Sequence, residues 1–207
     1  MRRPACLRLD AERGASSGTI VSMMSSASPT EVAPSRLVRV EDAQALTDLV
    51  TRNREFMAPW GRIRPEEFFT VEGQRTDIEA ALSRHAEGTA LPHVILDAAR
   101  EVAGRITLNG IVRGPFLSCS VGYWVSEDRN GRGLATAALA HIKAVAFGEL
   151  GLHRLQAETL VHNTASQAVL ARHGFERFGL APAYLNIAGR WQEHIMFQVI
   201  NPNMFQG

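Results

Sequence analysis

A mixed α/β fold, a sheet of about seven strands flanked by helices, is predicted by three features of this chain. Residues 121–136 run from an aromatic and β-branched stretch through Gly131-Arg132-Gly133 into Leu134, Ala138, Ile142 and Val145 at helical spacing, the order strand, glycine turn, helix. A second strand at 153–161 is followed by a helix opened by Asn163-Thr164-Ala165-Ser166 and running to His173-Gly174. Strand patterns also fill 92–97, 102–110 and 117–125 before this unit, and 175–178, 184–187 and 191–200 after it.

In chain order, residues 1–34 mix Ser, Ala, Gly, Arg and Pro without period and are expected to be a leader, with Met23 or Met24 as alternative starts. Residues 35–202 are expected to form one domain. Alternation at 36–40 predicts the first strand. Glu41-Asp42 then begins a helix that buries Ala45, Leu46, Leu49 and Val50, carries into Asn53 and stops at Pro59. A short helical piece starts at Pro65. A longer helix at 71–87 turns Ile78, Ala81 and Leu82 inward and ends at Gly88. The break at 112–115 is read as a surface loop, and Ala188-Gly189-Arg190 as a hairpin turn.

Composition narrows the function. In 207 residues, 45% hydrophobic content is enough for one sizeable core, and a formal net charge of +1 excludes a general nucleic-acid binder. Two cysteines, Cys6 and Cys119, make neither a disulfide framework nor a metal pair, which points to a reducing cytoplasm. No metal and no membrane span is expected. The glycine turn leaves backbone N–H groups unshielded at a helix start, a setting for a phosphate-like anion. It is neither a P-loop, lacking Gly-Lys-Ser/Thr, nor a dinucleotide fingerprint, because Thr136 stands where the third glycine would fall. A bare G-x-G also suits a plain connection.

The ordered set Asn53–Trp60, Val112–Phe116, Gly122-Tyr123-Trp124, Asn130–Gly133, Leu152-His153-Arg154, His162-Asn163, and Tyr184-Leu185 with Trp191–His194 resembles the GNAT superfamily of acetyl-CoA-dependent N-acetyltransferases. Within it, the likeness is to Rim-type enzymes that acetylate ribosomal-protein N-termini, the alanine-acetylating kind acting on small-subunit protein S5 in particular. The resemblance implies a sheet whose central parallel strands splay apart, with acetyl-CoA as co-substrate. It places the pyrophosphate on the N–H groups of Gly131, Arg132, Gly133, Leu134, Ala135 and Thr136, with Arg129 or Arg132 at its edge. Asn130 departs from the usual Gln or Arg. The pantetheine arm would pair with the backbone of Trp124, Val125 and Ser126, and Asn163 would touch it, cap the second helix, or both.

For the chemistry, many relatives have a Tyr acid where this chain has Leu170, and Ser166 matches the Ser that Rim-type relatives use. A carboxylate common in the central strand is missing at Cys119-Ser120, which leaves His162, Glu127, Glu193 or a water relay as base. Cys119 reads as an inert core thiol. Met57, Trp60, Arg113, Phe116, Tyr184, Trp191 and His194 are expected to face the acceptor, with the 112–115 loop as one lip. The reading is transfer of acetyl to a primary amine, the N-terminal alanine of a ribosomal protein, by a monomer or homodimer. A small-molecule amine acetyltransferase and a non-catalytic acyl-CoA sensor or ribosome-assembly factor are the alternatives.

Overall fold

The strands are β1 (Ser35–Leu37), β2 (Ala90–Leu96), β3 (Val102–Val112), β4 (Ser118–Val125), β5 (Arg154–Leu160), β6 (Glu176–Ile187) and β7 (Arg190–Ile200). Between them lie α1 (Ala43–Arg52), α2 (Arg54–Met57), α3 (Val71–Ala86), α4 (Leu134–Gly148) and α5 (Thr164–Arg172). These come from a computed structural model that describes residues 33–205. The expectation of a leader lies almost wholly outside them. Its boundary moves, because the Pro34 carbonyl accepts from Leu96 N–H at 2.9 Å and the Ala33 carbonyl from Arg100 at 2.7 Å.

The sheet runs β1-β2-β3-β4-β5-β7-β6, and among the described strands only β4 and β5 pair parallel. A parallel pair needs a crossover, which α4 supplies. One face of the sheet buries Cys119, Val121, Val125, Leu155 and Ala157 beneath Leu139 and Ile142 of α4 and Leu170 of α5. A second cluster packs Leu46 of α1 and Ile78 of α3 on Val94 and Leu96 of β2. Strand alternation therefore sends Ser120, Gly122, Trp124, Gln156 and Glu158 to the face opposite α4 and α5.

Three expectations change. The first strand stops at Leu37 because the chain turns over Asp42, whose carboxylate accepts the Arg39 N–H at 2.7 Å and pairs with Arg36 at 2.7 Å. The helix expected to continue to Pro59 breaks at Asn53, which is 2% exposed. Its Nδ2 donates to the Leu49 carbonyl and to Ser126 Oγ, and its Oδ1 accepts the Glu127 N–H, each at 2.8 Å. One side chain thus ties the end of α1 to the turn after β4. Finally, the runs at 175–178 and 184–187 are one strand, β6, carried over Pro182 by irregularities at Arg177/Gly179 and Ala181/Leu185.

Away from that turn, the buried Ser35 hydroxyl bridges His93 Nδ1 at 3.1 Å and His141 Nδ1 at 2.8 Å. Burial, followed by His141, His85 and Arg36, lowers the His93 pKa to about 4. A depressed imidazole keeps its full contribution above the unfolded value near 6.5 and loses it as pH falls toward 4, roughly 3 kcal/mol in all. Urea midpoints taken from pH 7 to 4.5 should therefore fall more steeply for wild type than for His93→Gln. Parallel slopes would show that His93 does not set the acid limb.

Candidate active site

The turn after β4 is built to present donors. Gly131 and Gly133 hold φ of 73° and 78°, values that cost a side-chain-bearing residue about 1–2 kcal/mol. The first main-chain bond of α4 runs from Ala137 N–H to the Gly133 carbonyl at 2.9 Å. The N–H groups of Leu134, Ala135 and Thr136 therefore precede any intrahelical acceptor and point out of the helix start, where the macrodipole adds partial positive charge.

Beside this turn the sheet opens. Pairing of β4 with β5 ends at Ser120 with Gln156, although β4 continues to Val125 and β5 to Leu160. Ser126 N–H bonds to the Ala103 carbonyl at 2.8 Å, which sets the phase of the β3–β4 ladder. By alternation, the main-chain groups of Trp124 face β3, while those of Tyr123 and Val125 face the gap.

Titratable and hydroxyl side chains stand around the gap. Tyr123 OH lies 3.0 Å from Ser166 Oγ in the first turn of α5, and burial raises the Tyr123 pKa despite the opposing Ser166 bond. The phenol therefore keeps its proton and backs the serine hydroxyl. Across the gap, Glu158 of β5 is raised above the usual carboxylate range by burial, and its charge contributes to raising Tyr184 after that residue's own burial. A carboxylate in that state accepts a proton more readily than a solvated one. At the end of β5 the exposed His162 ring sits 5.5 Å from Trp60, and Ala188 N–H reaches the Gly61 carbonyl at 2.9 Å. Trp60, Ile63, Tyr184 and Trp191 are all exposed, which leaves an apolar rim around the opening.

A strand, an anion-binding turn and helix, and a parallel neighbour that peels away form the layout of acetyl-CoA-dependent transferases, and the acetyltransferase (GNAT) domain family matches residues 36–176. The chain belongs to the GNAT acetyltransferase family. It is 32% identical to the probable N-acetyltransferase YjcK of Bacillus subtilis over 81% of this chain and 93% of that one. It is also 32% identical to the [ribosomal protein uS5]-alanine N-acetyltransferase of Escherichia coli, over 83% of this chain and 89% of that one. Mycobacterium smegmatis RimJ in complex with CoA-disulfide superposes with a TM-score of 0.79 at 31% identity, covering 84% of each chain. This protein is an acetyl-CoA-dependent N-acetyltransferase.

In this acetyltransferase the sequence-predicted residues divide. Gly131, Arg132, Gly133, Leu134, Ala135 and Thr136 form the turn and helix start, with Asn130 leading into them, and Ser166 and Asn163 stand at the α5 N-terminus. Asn163 Oδ1 accepts the Ser166 N–H at 3.1 Å, so the capping role is present. Arg129 does not reach the turn, because its guanidinium is drawn to Asp97 and Glu101. Arg132 donates instead to the Asp128 carbonyl at 2.9 Å. The side chain and N–H of Ser126, like the main chain of Trp124, are engaged within the fold.

Further from the turn, the 112–115 loop is no lip of the acceptor site: Arg113 donates to the Leu150 carbonyl beyond the end of α4, and Phe116 follows at the start of β4, opposite the glycine turn. Glu127 and Glu193 are exposed. Cys119 is buried with its thiol pushed up to about 12, so it stays an inert core residue. Sequence reasoning missed Tyr123 and Glu158. Alternation along β5 places Glu158 on the same face as Gln156, two residues beyond the last pairing with β4, so a carboxylate stands on β5 beside the stretch of β4 that carries none.

Proposed function

We propose that this acetyltransferase acetylates the N-terminal α-amine of a ribosomal protein that begins with alanine. The observation that carries the acceptor class is the likeness to the Escherichia coli uS5-alanine enzyme along nearly all of that chain. The apolar, exposed rim suits an extended polypeptide end.

The residues fit acetyl-CoA. The N–H groups of Leu134, Ala135 and Thr136 hold the pyrophosphate, and the gap-facing main chain of Val125 and Tyr123 pairs with the pantetheine arm. When bound, acetyl-CoA supplies an activated acyl group with a thiolate leaving group. An α-amine, with a pKa near 7.7–8.0, arrives largely as ammonium at neutral pH, and Glu158 takes its proton. Ser166 Oγ, backed by Tyr123, would give its proton to the leaving thiolate, and the second proton shed by the acylated nitrogen would restore the hydroxyl. The His162 ring lies tilted against Trp60 and shapes the rim.

The test is acetyl transfer by the purified chain to an alanine-initiated peptide of small-subunit protein S5, beside a panel of aminoglycosides and polyamines. Mass spectrometry should place the label on the peptide α-amine. Turnover confined to the small amines would overturn the acceptor assignment.

A further inference from the structure

On the face of the sheet opposite α4, a cavity of about 420 Å³ opens against Gly122, Tyr123 and Trp124, the stretch of β4 that borders the gap. Its charge is one-sided. Arg62, Arg64, Arg84 and Arg105 line it, and among the described residues Asp77, which Arg105 holds at 2.6 Å, is the one carboxylate in the lining. Among the described residues, Arg62 and Arg64 have no ion-pair partner within 4.0 Å. Arg64 is half-buried, with its guanidinium 4.2 Å over the Phe68 ring. Burial, then the neighbouring Arg62, with Asp77 opposing and Arg105 adding, lowers its pKa. Holding such a cation in place is costly, and a bound anion relieves the cost.

Two further features describe the ligand. Met57, Val50 and Ala81 add apolar wall. Gln74, fully buried, gives Nε2 to the Phe68 carbonyl at 2.7 Å and leaves Oε1 without a partner. A bare inorganic anion would use the arginines but neither the apolar wall nor an acceptor oxygen. A short acidic side chain on a peptide uses all three: carboxylate to guanidinium, methylenes to the wall, and a main-chain N–H to Gln74. A nucleic-acid backbone would need an open basic face, and this site is a recess in a chain of net charge +1.

We propose that this cavity reads a Glu or Asp carried near the N-terminus of the acceptor polypeptide, with Arg64 and Arg62 binding its carboxylate. The inference rests on the polypeptide-acceptor reading above and adds the acceptor's chemistry at a second position.

The test uses the full chain, acetyl-CoA and alanine-initiated peptides in which one Glu is walked through the second to sixth residues, a run of roughly 16 Å when extended. Each peptide has a Gln counterpart. At one position kcat/KM should favour Glu over Gln by about tenfold, through KM, and the ratio should shrink as salt rises. Arg64→Gln should erase the ratio and Arg64→Lys restore part of it, since an ammonium keeps the charge without the bidentate geometry. Equal kcat/KM for Glu and Gln at every position would overturn the proposal while leaving the transferase reading intact. Acetylation of no peptide at all would overturn both. Competition by single-stranded RNA against the Glu peptide would overturn it in favour of a nucleic-acid seat.

Discussion

Glu158→Gln should lower kcat by about a hundredfold or more, the range expected when a positioned general base is removed, and should at the same time make the protein more stable. The two effects share a cause. Burial raises the Glu158 pKa, so the fold favours the protonated form. A carboxylate whose folded pKa is raised contributes stability below its unfolded pKa and loses it as pH rises through the folded value, so at pH 7, where the unfolded chain's carboxylate is ionised, the side chain is a net burden. Glutamine keeps the shape and removes the charge. Thermal unfolding at pH 7 should give a higher Tm for the variant, and kcat/KM against pH should lose the acid limb that reports Glu158 ionisation. A carboxylate with no part in catalysis would give the same rise in Tm with kcat and the pH profile unmoved, so the kinetic readouts decide the role. If kcat changes by less than about threefold, proton transfer belongs to another group, and an ordered water becomes the leading alternative.

What could be read from the chain beforehand follows the range of each interaction. The turn at Gly131-Arg132-Gly133, the helix of Leu134, Ala138, Ile142 and Val145, and most strands are local patterns, and all reappear in the fold. Ser166 was legible because it matches the Ser that Rim-type relatives carry three residues after the helix-opening Asn, and that Asn does cap α5. Tyr123 was not, because its partner lies 43 residues away and aromatic residues in strands usually only pack. Asn53 was missed for the same reason: helical pattern carries no sign that its amide will reach Ser126 and Glu127 in another element. Arg129 misled because proximity in sequence to the glycine turn suggested an anion contact, whereas Asp97 and Glu101 on the β2–β3 side take its charge. Glu158 could have been found from period-two alternation once β5 was known to separate from β4, and the point of separation is tertiary information.

Gly131→Val should weaken coenzyme A binding by at least about a hundredfold, some 2.7 kcal/mol, with little loss of fold. At φ of 73°, a β-branched residue either accepts strain of about 1–2 kcal/mol or moves the turn to a negative φ. Moving it re-aims the N–H groups ahead of α4, which act together only while the turn keeps its shape. Packing does not decide the matter, because among the described residues no atom beyond the two chain neighbours lies within 4 Å of a Cβ built at Gly131. The side chain therefore meets open space and not the core, so a loss of binding comes from the shape of the turn. Gly131→Ala, with the same φ penalty and less bulk, should fall between the two. Calorimetric titration with coenzyme A, beside thermal unfolding of each variant, separates the outcomes. Weak binding with a nearly native Tm supports main-chain donors as the grip on the pyrophosphate. Wild-type affinity in Gly131→Val would place that grip elsewhere, and the roles drawn for Val125, Tyr123, Ser166 and Glu158 along the gap would lose their anchor.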